Sequence, residues 1–424
     1  MLELAVTARP KKVSLTSMII AASIGNALEW YDISIYLIFS LQIAKAFFPA
    51  QEPAVSLMMT FGTLGISYIA RPIGAIVLGA YADRVGRKSA MLVCIALMAL
   101  GTGIITFMPT YATIGSLAPV GIVIARLVQA FSAGGEFGSA TALLVESSPE
   151  RRGFIASWQF ASQGMSAVLA TLFGVLVSAC MSANTLQDWG WRIPFAFGLL
   201  VAPVGLYIRR QLDEVSPSSE KKTEGSAIVA LAGSQKTNLI VATGCLAIST
   251  SATYLLFYMP TYAVKNLKLT PTISFTAALC GSLILAFLTP FAGHLSDRFG
   301  PIRIMLGSAI IMGLSFYPCF VILTSYPSLS TIIAVVVWIA CLKATYFGGL
   351  PALMADLFPA ATRATGLSLS YSVGVTAFGG FAPLVMVWLI TFTRDDRSPS
   401  YYLLTVTLLS IVALITARRK FGMR

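Results

Sequence analysis

The sequence predicts an all-α membrane protein with twelve transmembrane helices in two pseudo-symmetric six-helix bundles. Of its 424 residues, 57% are hydrophobic and only 11% are charged. Soluble domains carry about 25% charged residues, so the shortfall indicates surface that faces lipid. One charged turn also occurs twice, as GAYADRVGRK at 79–88 and as GHLSDRFG at 293–300. A repeat about half a sequence apart indicates two halves of one design.

Apolar segments of about 20 residues, long enough to cross a bilayer, follow one another with short connections. They fall into six segments, a hydrophilic linker, and six more. We therefore expect an N-terminal bundle at 1–210, a cytoplasmic linker at 211–237 and a C-terminal bundle at 238–424. The predicted spans are 16–42, 55–81, 89–108, 117–144, 154–180, 191–210, 238–264, 272–295, 303–324, 329–355, 364–391 and 400–417.

Lysine and arginine are distributed unequally between the two sides of these spans. One side holds 20 of them and the other holds six. Cytoplasmic loops retain positive charge, so both termini and the linker are predicted to be cytoplasmic. The net charge of +12 reflects this topology and an attraction to anionic lipid. The basic residues are dispersed over short loops, a pattern that does not indicate nucleic-acid binding.

Six charged residues lie inside the predicted spans, away from the span ends. A charge at the bilayer centre costs about 2.5–3.5 kcal/mol on insertion scales, so each must face a partner, a cavity or a substrate. Equal numbers of positive and negative groups favour a charge-compensated transport path. The six are Arg71, Arg126, Lys343, Glu29, Asp32 and Glu136.

Glu29 and Asp32 lie three residues apart and so share one face of the first predicted helix. Two carboxylates in one apolar cavity titrate as a coupled set, which suits a proton carrier. Arg126 offers a fixed positive charge for which a carboxylate or an anionic substrate can compete. Glu136, about three turns further along the same span, is the third candidate proton acceptor. The alternative for these residues is a static buried salt bridge that holds helices together.

The two other basic residues are candidate substrate ligands. Arg71 could bind substrate or pair with Glu136 and stabilise the bundle. Lys343 is the only basic residue of the second half that lies inside a span, away from the span ends, and it has no evident acidic partner there. An anionic ligand would supply that partner, although the long side chain could instead extend toward the membrane surface.

Paired polar residues in mid-span add further candidate contacts. Gln159 and Gln163 share a face of the fifth predicted helix, and Tyr254 and Tyr258 share a face of the seventh. Such groups can donate hydrogen bonds to carboxylates without adding charge. They can equally bridge helices with no role in transport.

The repeated turn is predicted to hold helices together on the cytoplasmic side rather than to touch substrate. Its charged residues are Asp83, Arg84, Arg87, Asp297 and Arg298. The single histidine, His294, adjoins this turn and is interpreted as structural. The six cysteines are scattered singly in apolar runs without metal-ligand spacing, so we expect them to pack as small hydrophobic residues.

Motifs along the whole chain carry a family resemblance. They are EWYD at 29–32, RPIGA at 71–75, the first charged turn, RLVQAFSAGGE at 126–136 and WGWRIPF at 189–195. They resemble the major facilitator superfamily and, within it, the metabolite:proton symporter family. The strings SLMMTFG at 56–62, GAY at 79–81 and AFGG at 377–380 are similar to those of the citrate and tricarballylate symporter branch.

The resemblance implies twelve helices, alternating access and inward movement of substrate with protons. It places Asp32 and Arg126 at the positions associated with proton coupling. Two departures stand out. The second turn continues as PIR at 301–303 where the family has Gly-Arg-Arg or Gly-Arg-Lys, which weakens that latch. The tenth span reads YFG at 346–348 where the branch has Tyr-Asn-Gly, and it adds Lys343.

The sequence therefore predicts a proton-coupled importer of a small organic anion, a di- or tricarboxylate such as citrate or tricarballylate. The alternatives are uptake of a zwitterionic osmolyte such as betaine or proline, a proton-driven exporter, and a sensor that keeps the fold without net flux. An enzyme is not indicated, because no nucleophile–base pair, metal cluster or phosphate loop is present. We expect a monomer in the bacterial inner membrane that uses protons as coupling ion and needs no metal or cofactor.

Overall fold

A computed structural model describes residues 15–85, 87–134, 136–211, 231 and 233–422, and these are almost entirely helical. The predicted all-α fold is confirmed. The first half contains nine helices of eight residues or more within the described ranges. They are α1 (Leu15–Ile38), α2 (Ser40–Phe47), α3 (Pro53–Tyr68), α4 (Ala70–Val85), α5 (Arg87–Phe107), α6 (Leu117–Ser132), α7 (Glu136–Ser147), α8 (Arg152–Cys180) and α9 (Arg192–Gln211).

The second half has seven such helices among its described residues. They are α10 (Lys236–Lys265), α11 (Pro271–Phe299), α12 (Pro301–Ser325), α13 (Leu329–Asp356), α14 (Arg363–Val375), α15 (Ala382–Thr393) and α16 (Pro399–Phe421). A π-helical turn, Thr376–Gly380, joins α14 to α15. Most of the predicted linker lies outside the described residues, so the domain boundaries stay a prediction.

All twelve predicted spans coincide with described helices. Eight consist of one helix each, and four consist of two helices in series: α1 with α2, α3 with α4, α6 with α7, and α14 with α15. Among the described residues, eight helical segments of at least 18 residues are apolar enough to cross a membrane, and α5 and α6 contain shorter apolar stretches. The chain is therefore a multi-pass membrane protein.

Glycines bring α4 against the end of α6. A Cβ atom on Gly74 would lie 1.8 Å from the carbonyl oxygen of Phe131, and one on Gly134 would lie 2.0 Å from that of Arg71. Only glycine permits backbones to approach so closely. This contact fixes where the Arg71 side chain leaves its helix.

The two halves contact each other at both ends. At the predicted extracellular end, the hydroxyls of Ser40 and Thr261 lie 2.8 Å apart. At the predicted cytoplasmic end, Arg363 pairs with Glu146 at 2.6 Å. Between these ends α8 packs closely on α11, since a Cβ atom on Gly164 would lie 2.6 Å from the backbone nitrogen of Ala286. The halves are thus in contact at both ends and between them.

Candidate functional site

Asp32 lies buried in the middle of α1, with polar partners on two neighbouring helices. Thr102 of α5 donates a hydrogen bond to Asp32 Oδ2 at 2.7 Å. Gln129 of α6 points its amide nitrogen at the same oxygen from 3.5 Å, and also donates to the Thr102 hydroxyl at 2.9 Å. Because donors from two other helices hold this carboxylate, a change in its charge would change how those helices pack.

Arg126 reaches Asp32 indirectly. Its Nη1 donates to Gln129 Oε1 at 2.8 Å, and its guanidinium lies 4.4 Å from the centre of the Tyr36 ring. No ion pair between Arg126 and Asp32 occurs in this described region. The sequence hypothesis of a static salt bridge between these two residues is therefore wrong in its geometry, because the Gln129 amide lies between them. Sequence reasoning recorded Gln129 only as part of a motif and missed Thr102, although both are polar residues inside apolar spans.

Glu29 forms a buried ion pair with Arg71 of α4. The Arg71 guanidinium also lies 5.1 Å from the centre of the Tyr68 ring. This pairing connects α1 to α4. The sequence left open which acidic residue pairs with Arg71, and in the structure it is Glu29. The side chain of Glu136, the partner considered from the sequence, lies outside the described residues.

Glu29 and Asp32 line one small cavity, as their spacing predicts. Its other walls come from α5, α6 and α9, including Cys94, Met98 and Gly198. Every lining residue belongs to the first half. This space, called here the carboxylate cavity, is therefore enclosed by one group of helices rather than by the interface between the halves.

Lys343 of α13 is only 2% exposed, and it lines a second, small cavity. Its Nζ lies 4.1 Å from the centre of the Phe347 ring, but it has no hydrogen bond or ion pair with any residue that the structure describes. Burying an isolated charge costs several kcal/mol. A cation–π contact returns only about 0.5–2 kcal/mol. When Lys343 carries its proton, the described residues therefore do not compensate its positive charge sufficiently.

The predicted polar contacts divide into two groups. Tyr254 shares a 2.5 Å hydrogen bond with Tyr68, and Gln163 donates to the hydroxyl of Tyr371 at 3.3 Å. Both bonds cross between the halves, close to Arg71. Sequence reasoning missed Tyr68 and Tyr371, because nothing in the sequence pairs residues so far apart along the chain.

Gln159 and Tyr258 lie in different surroundings. Gln159 is fully buried, and both atoms of its amide lack a hydrogen-bond partner among the described residues. Tyr258 packs edge-on against Phe61, with ring centres 5.7 Å apart. Gln159 therefore keeps its amide available for a ligand, whereas Tyr258 packs in the apolar interface.

The second charged turn joins the halves at the predicted cytoplasmic end. Asp297 accepts hydrogen bonds from the backbone nitrogens of Gly153 at 2.6 Å and Phe154 at 2.9 Å, at the start of α8. An acidic group at a helix N-terminus satisfies unpaired donors and the helix dipole. Arg298 instead stacks on Phe299, 5.4 Å from its ring centre. The side chains of Asp83, Arg84 and Arg87 lie outside the described residues.

Metal-ligating groups are dispersed. In the part of the chain that the structure describes, no group of three or more His, Cys, Asp or Glu side chains could hold a metal ion.

Comparison with known proteins agrees with this architecture. The family model described as Major Facilitator Superfamily matches residues 15–287 and 272–422. The chain is 35% identical to a citrate-proton symporter of Klebsiella pneumoniae over 399 residues, which cover 93% of this chain and 90% of that protein. It is 33% identical to an alpha-ketoglutarate permease of Escherichia coli, covering 96% and 94% of the two chains.

One further relative and one solved structure carry the names of other substrates. A proline/betaine transporter of Salmonella typhimurium is 31% identical, covering 95% of this chain and 83% of that one. A crystal structure of a D-xylose-proton symporter superimposes with a TM-score of 0.75 at 16% identity, covering 96% and 98% of the two chains. The family model spans nearly the whole sequence, and three relatives exceed 30% identity over nearly all of it. The chain therefore belongs to the major facilitator superfamily.

Proposed function

We propose that the protein is a proton-coupled secondary transporter that takes up a small organic anion, a di- or tricarboxylate such as citrate or tricarballylate. The observation that carries this proposal is the imbalance among the buried cations. Arg71 is paired with Glu29, and Arg126 is linked through Gln129 to Asp32, but Lys343 has no acidic partner among the described residues. An anionic substrate would supply the missing charge.

Proton coupling is assigned to the carboxylate cavity. A proton bound by Asp32 would remove the negative charge that Thr102 and Gln129 face. Arg126 would then keep its positive charge without a nearby counter-charge, and a substrate carboxylate could compete for it. Glu29 and Glu136 are the alternate proton acceptors. In this scheme proton binding and substrate binding favour each other, as symport requires.

Substrate binding is assigned to Arg126, Lys343 and Arg71. Gln159, Gln163, Tyr254 and Tyr258 are proposed as uncharged donors around them. The hydrogen bonds of Gln163 and Tyr254 already cross between the halves. A substrate that replaced these bonds would change how strongly the halves attract each other, which is the basis of alternating access.

The cytoplasmic latch is assigned to the charged turns. Asp297 connects the second half to the N-terminus of α8, and this contact would be lost if the predicted cytoplasmic end opened. Asp83, Arg84, Arg87 and Arg298 are proposed to assist it. The protein is placed in a bacterial inner membrane with both termini cytoplasmic, in line with the distribution of its basic residues.

A zwitterionic osmolyte is the second candidate substrate class, favoured by the similarity to a proline/betaine transporter. The relatives are named as symporters, transporters and a permease, and these names describe no enzyme. Lys343 would pair with the carboxylate of a zwitterion but would offer nothing to its quaternary ammonium group.

Uptake into proteoliposomes tests the proposal. Labelled citrate is offered with and without an inward-directed pH gradient, with tricarballylate, succinate, alpha-ketoglutarate and betaine as competitors. We expect accumulation that needs the gradient and is blocked by the carboxylates. Accumulation of labelled betaine, with no citrate uptake and no competition by carboxylates, would instead assign the zwitterion class.

A further inference from the structure

The cavity beside Lys343 is formed by both halves of the protein. Ile38, Ala167 and Thr171 contribute from α1 and α8, while Thr253, Ser282 and Lys343 are among the residues that contribute from α10, α11 and α13. A ligand in this space would contact helices that must separate when the carrier opens. None of its lining residues also lines the carboxylate cavity.

Among the described residues that line this cavity, Lys343 is the only one with an ionisable side chain. The ammonium is buried and lacks a hydrogen bond or ion pair with the described residues, and it contacts the face of Phe347. That contact is weaker than the interactions a buried ammonium loses on leaving water. When Lys343 carries its proton, the cavity therefore holds one positive charge that a single anionic group would neutralise.

The hydroxyl groups that line the cavity already donate hydrogen bonds to backbone carbonyls. Thr171 donates to the carbonyl of Ala167 at 2.7 Å. Thr253 and Ser282 likewise donate to carbonyls four residues earlier, each at 2.8 Å. The three N–H groups of Lys343 thus remain as the available donors. A sugar, which needs many donors and acceptors around it, is poorly matched to such a wall.

The rest of the cavity is apolar, with walls that include Leu256, Phe257, Leu285 and Val336. These side chains suit the carbon chain of an organic acid. We infer that the Lys343 cavity is a subsite for one carboxylate group of the transported acid, with the adjoining carbon atoms against Leu256 and Phe257. The inference rests on the proposed function and deepens it, because it assigns one carboxylate to a place apart from Arg126.

The division of charges has a consequence for the ligand. Lys343 has no acidic partner in this cavity. Arg126, in contrast, is linked through Gln129 to Asp32, and Arg71 is paired with Glu29. A second or third carboxylate would therefore have to displace those acids from their partners. Protonation of Asp32 or Glu29 makes that displacement easier, so additional carboxylates would bind together with protons.

The test measures binding to the purified full-length protein in nanodiscs, by thermal shift titrations with citrate, tricarballylate, succinate, betaine and chloride. We expect the carboxylates to stabilise the wild type. In Lys343→Met the citrate dissociation constant should rise about 10- to 100-fold, the range of a lost charge-assisted hydrogen bond. Lys343→Arg should retain part of the affinity. Lys45→Met is the matched control, since Lys45 is an exposed lysine of α2 and should bind citrate as the wild type does.

A second variant keeps the ammonium and fills the space. Ser282→Leu should also weaken citrate binding at least tenfold, and it serves as the test if Lys343→Met is not monodisperse. Citrate binding within twofold of the wild type in Lys343→Met or in Ser282→Leu would overturn the subsite. Stabilisation by chloride that equals and competes with citrate would also overturn it, in favour of an inorganic anion site.

The same proteins in the uptake assay separate the two proposals. If the wild type accumulates citrate and Lys343→Met has an unchanged half-saturating concentration, the subsite fails and the transport function stands. If the wild type neither binds nor takes up any carboxylate, the proposed substrate class and the subsite fail together.

Discussion

The amide of Gln129 accepts a 2.8 Å hydrogen bond from Arg126 and turns its nitrogen toward Asp32 at 3.5 Å. The buried arginine and the buried aspartate therefore communicate through a neutral side chain. A direct ion pair would have to break before either charge could act elsewhere. An amide bridge needs only a small rotation to release one partner, which suits residues that exchange partners during a transport cycle.

Replacing Gln129 with Met should separate the two charges while preserving the volume of the side chain. We expect uphill accumulation driven by a pH gradient to fall about tenfold, with substrate exchange at equal pH retained, because binding is kept and coupling is lost. Uptake and exchange in proteoliposomes measure both quantities. Gln42→Met, at a buried glutamine of α2, is the control. Equal losses in exchange and accumulation would contradict a coupling role.

Asp32→Asn should mimic the protonated carboxyl group permanently. We expect uphill uptake to be abolished and exchange to remain measurable. The exchange rate should lose its dependence on pH, since the side chain no longer takes up or releases a proton. Uptake against a concentration gradient is compared with exchange between pH 5 and 8. Wild-type accumulation in this variant would remove Asp32 from the coupling mechanism.

Glu29→Gln leaves the Arg71 guanidinium buried without its counter-charge. Removing one partner of a buried pair costs about 3–5 kcal/mol, so the melting temperature should fall by several degrees. The double variant Glu29→Gln with Arg71→Met removes both charges and should recover most of the loss. Thermal unfolding in one detergent compares the three proteins. A double variant no more stable than Glu29→Gln would show that the pair does not stabilise α1 against α4.

Asp297→Ala should loosen the predicted cytoplasmic end. The variant loses two hydrogen bonds to the start of α8, a cap worth about 0.5–2 kcal/mol. Spin labels are attached at Glu150→Cys and Thr365→Cys, one on each half near this end, with exposed Cys180 replaced by Ser. We expect Asp297→Ala to have a larger population of long distances between the two spin labels than the parent protein.

The control for this latch is Asp356→Asn, in which the partly exposed pair with Arg152 is weakened. Solvent-exposed ion pairs contribute little, so the distance distribution should change less than in Asp297→Ala. Identical distributions in Asp297→Ala and the parent protein would exclude a latch at this turn.

Gly134→Ala should disturb the approach of α4 to α6, since the new methyl carbon would lie 2.0 Å from the Arg71 carbonyl oxygen. We expect a loss of monodisperse protein or a large fall in uptake. Gly62→Ala provides the comparison, because a Cβ atom there meets nothing within 4 Å. Size-exclusion profiles and citrate uptake measure both variants. A normal Gly134→Ala protein would mean that the two helices can separate without cost.

The spans and the buried ionisable residues could be predicted from the sequence because hydropathy and charge are local properties. The shared cavity of Glu29 and Asp32 also follows from local helical spacing. The partners could not be predicted in the same way. Arg71 pairs with Glu29, which belongs to another helix. The side chain of Gln129 lies between Asp32 and Arg126. These contacts depend on how helices far apart in sequence rotate against each other.

The carboxylate cavity lies within one half of the molecule, whereas the Lys343 cavity lies between the halves. A small cationic molecule bound beside Asp32 and Glu29 would thus occupy the proposed proton site without entering the Lys343 cavity. Because proton binding and substrate binding favour each other in the proposed cycle, such a molecule would compete with protons and weaken substrate binding indirectly. It would act on energy coupling from a place that the proposed substrate subsite does not share.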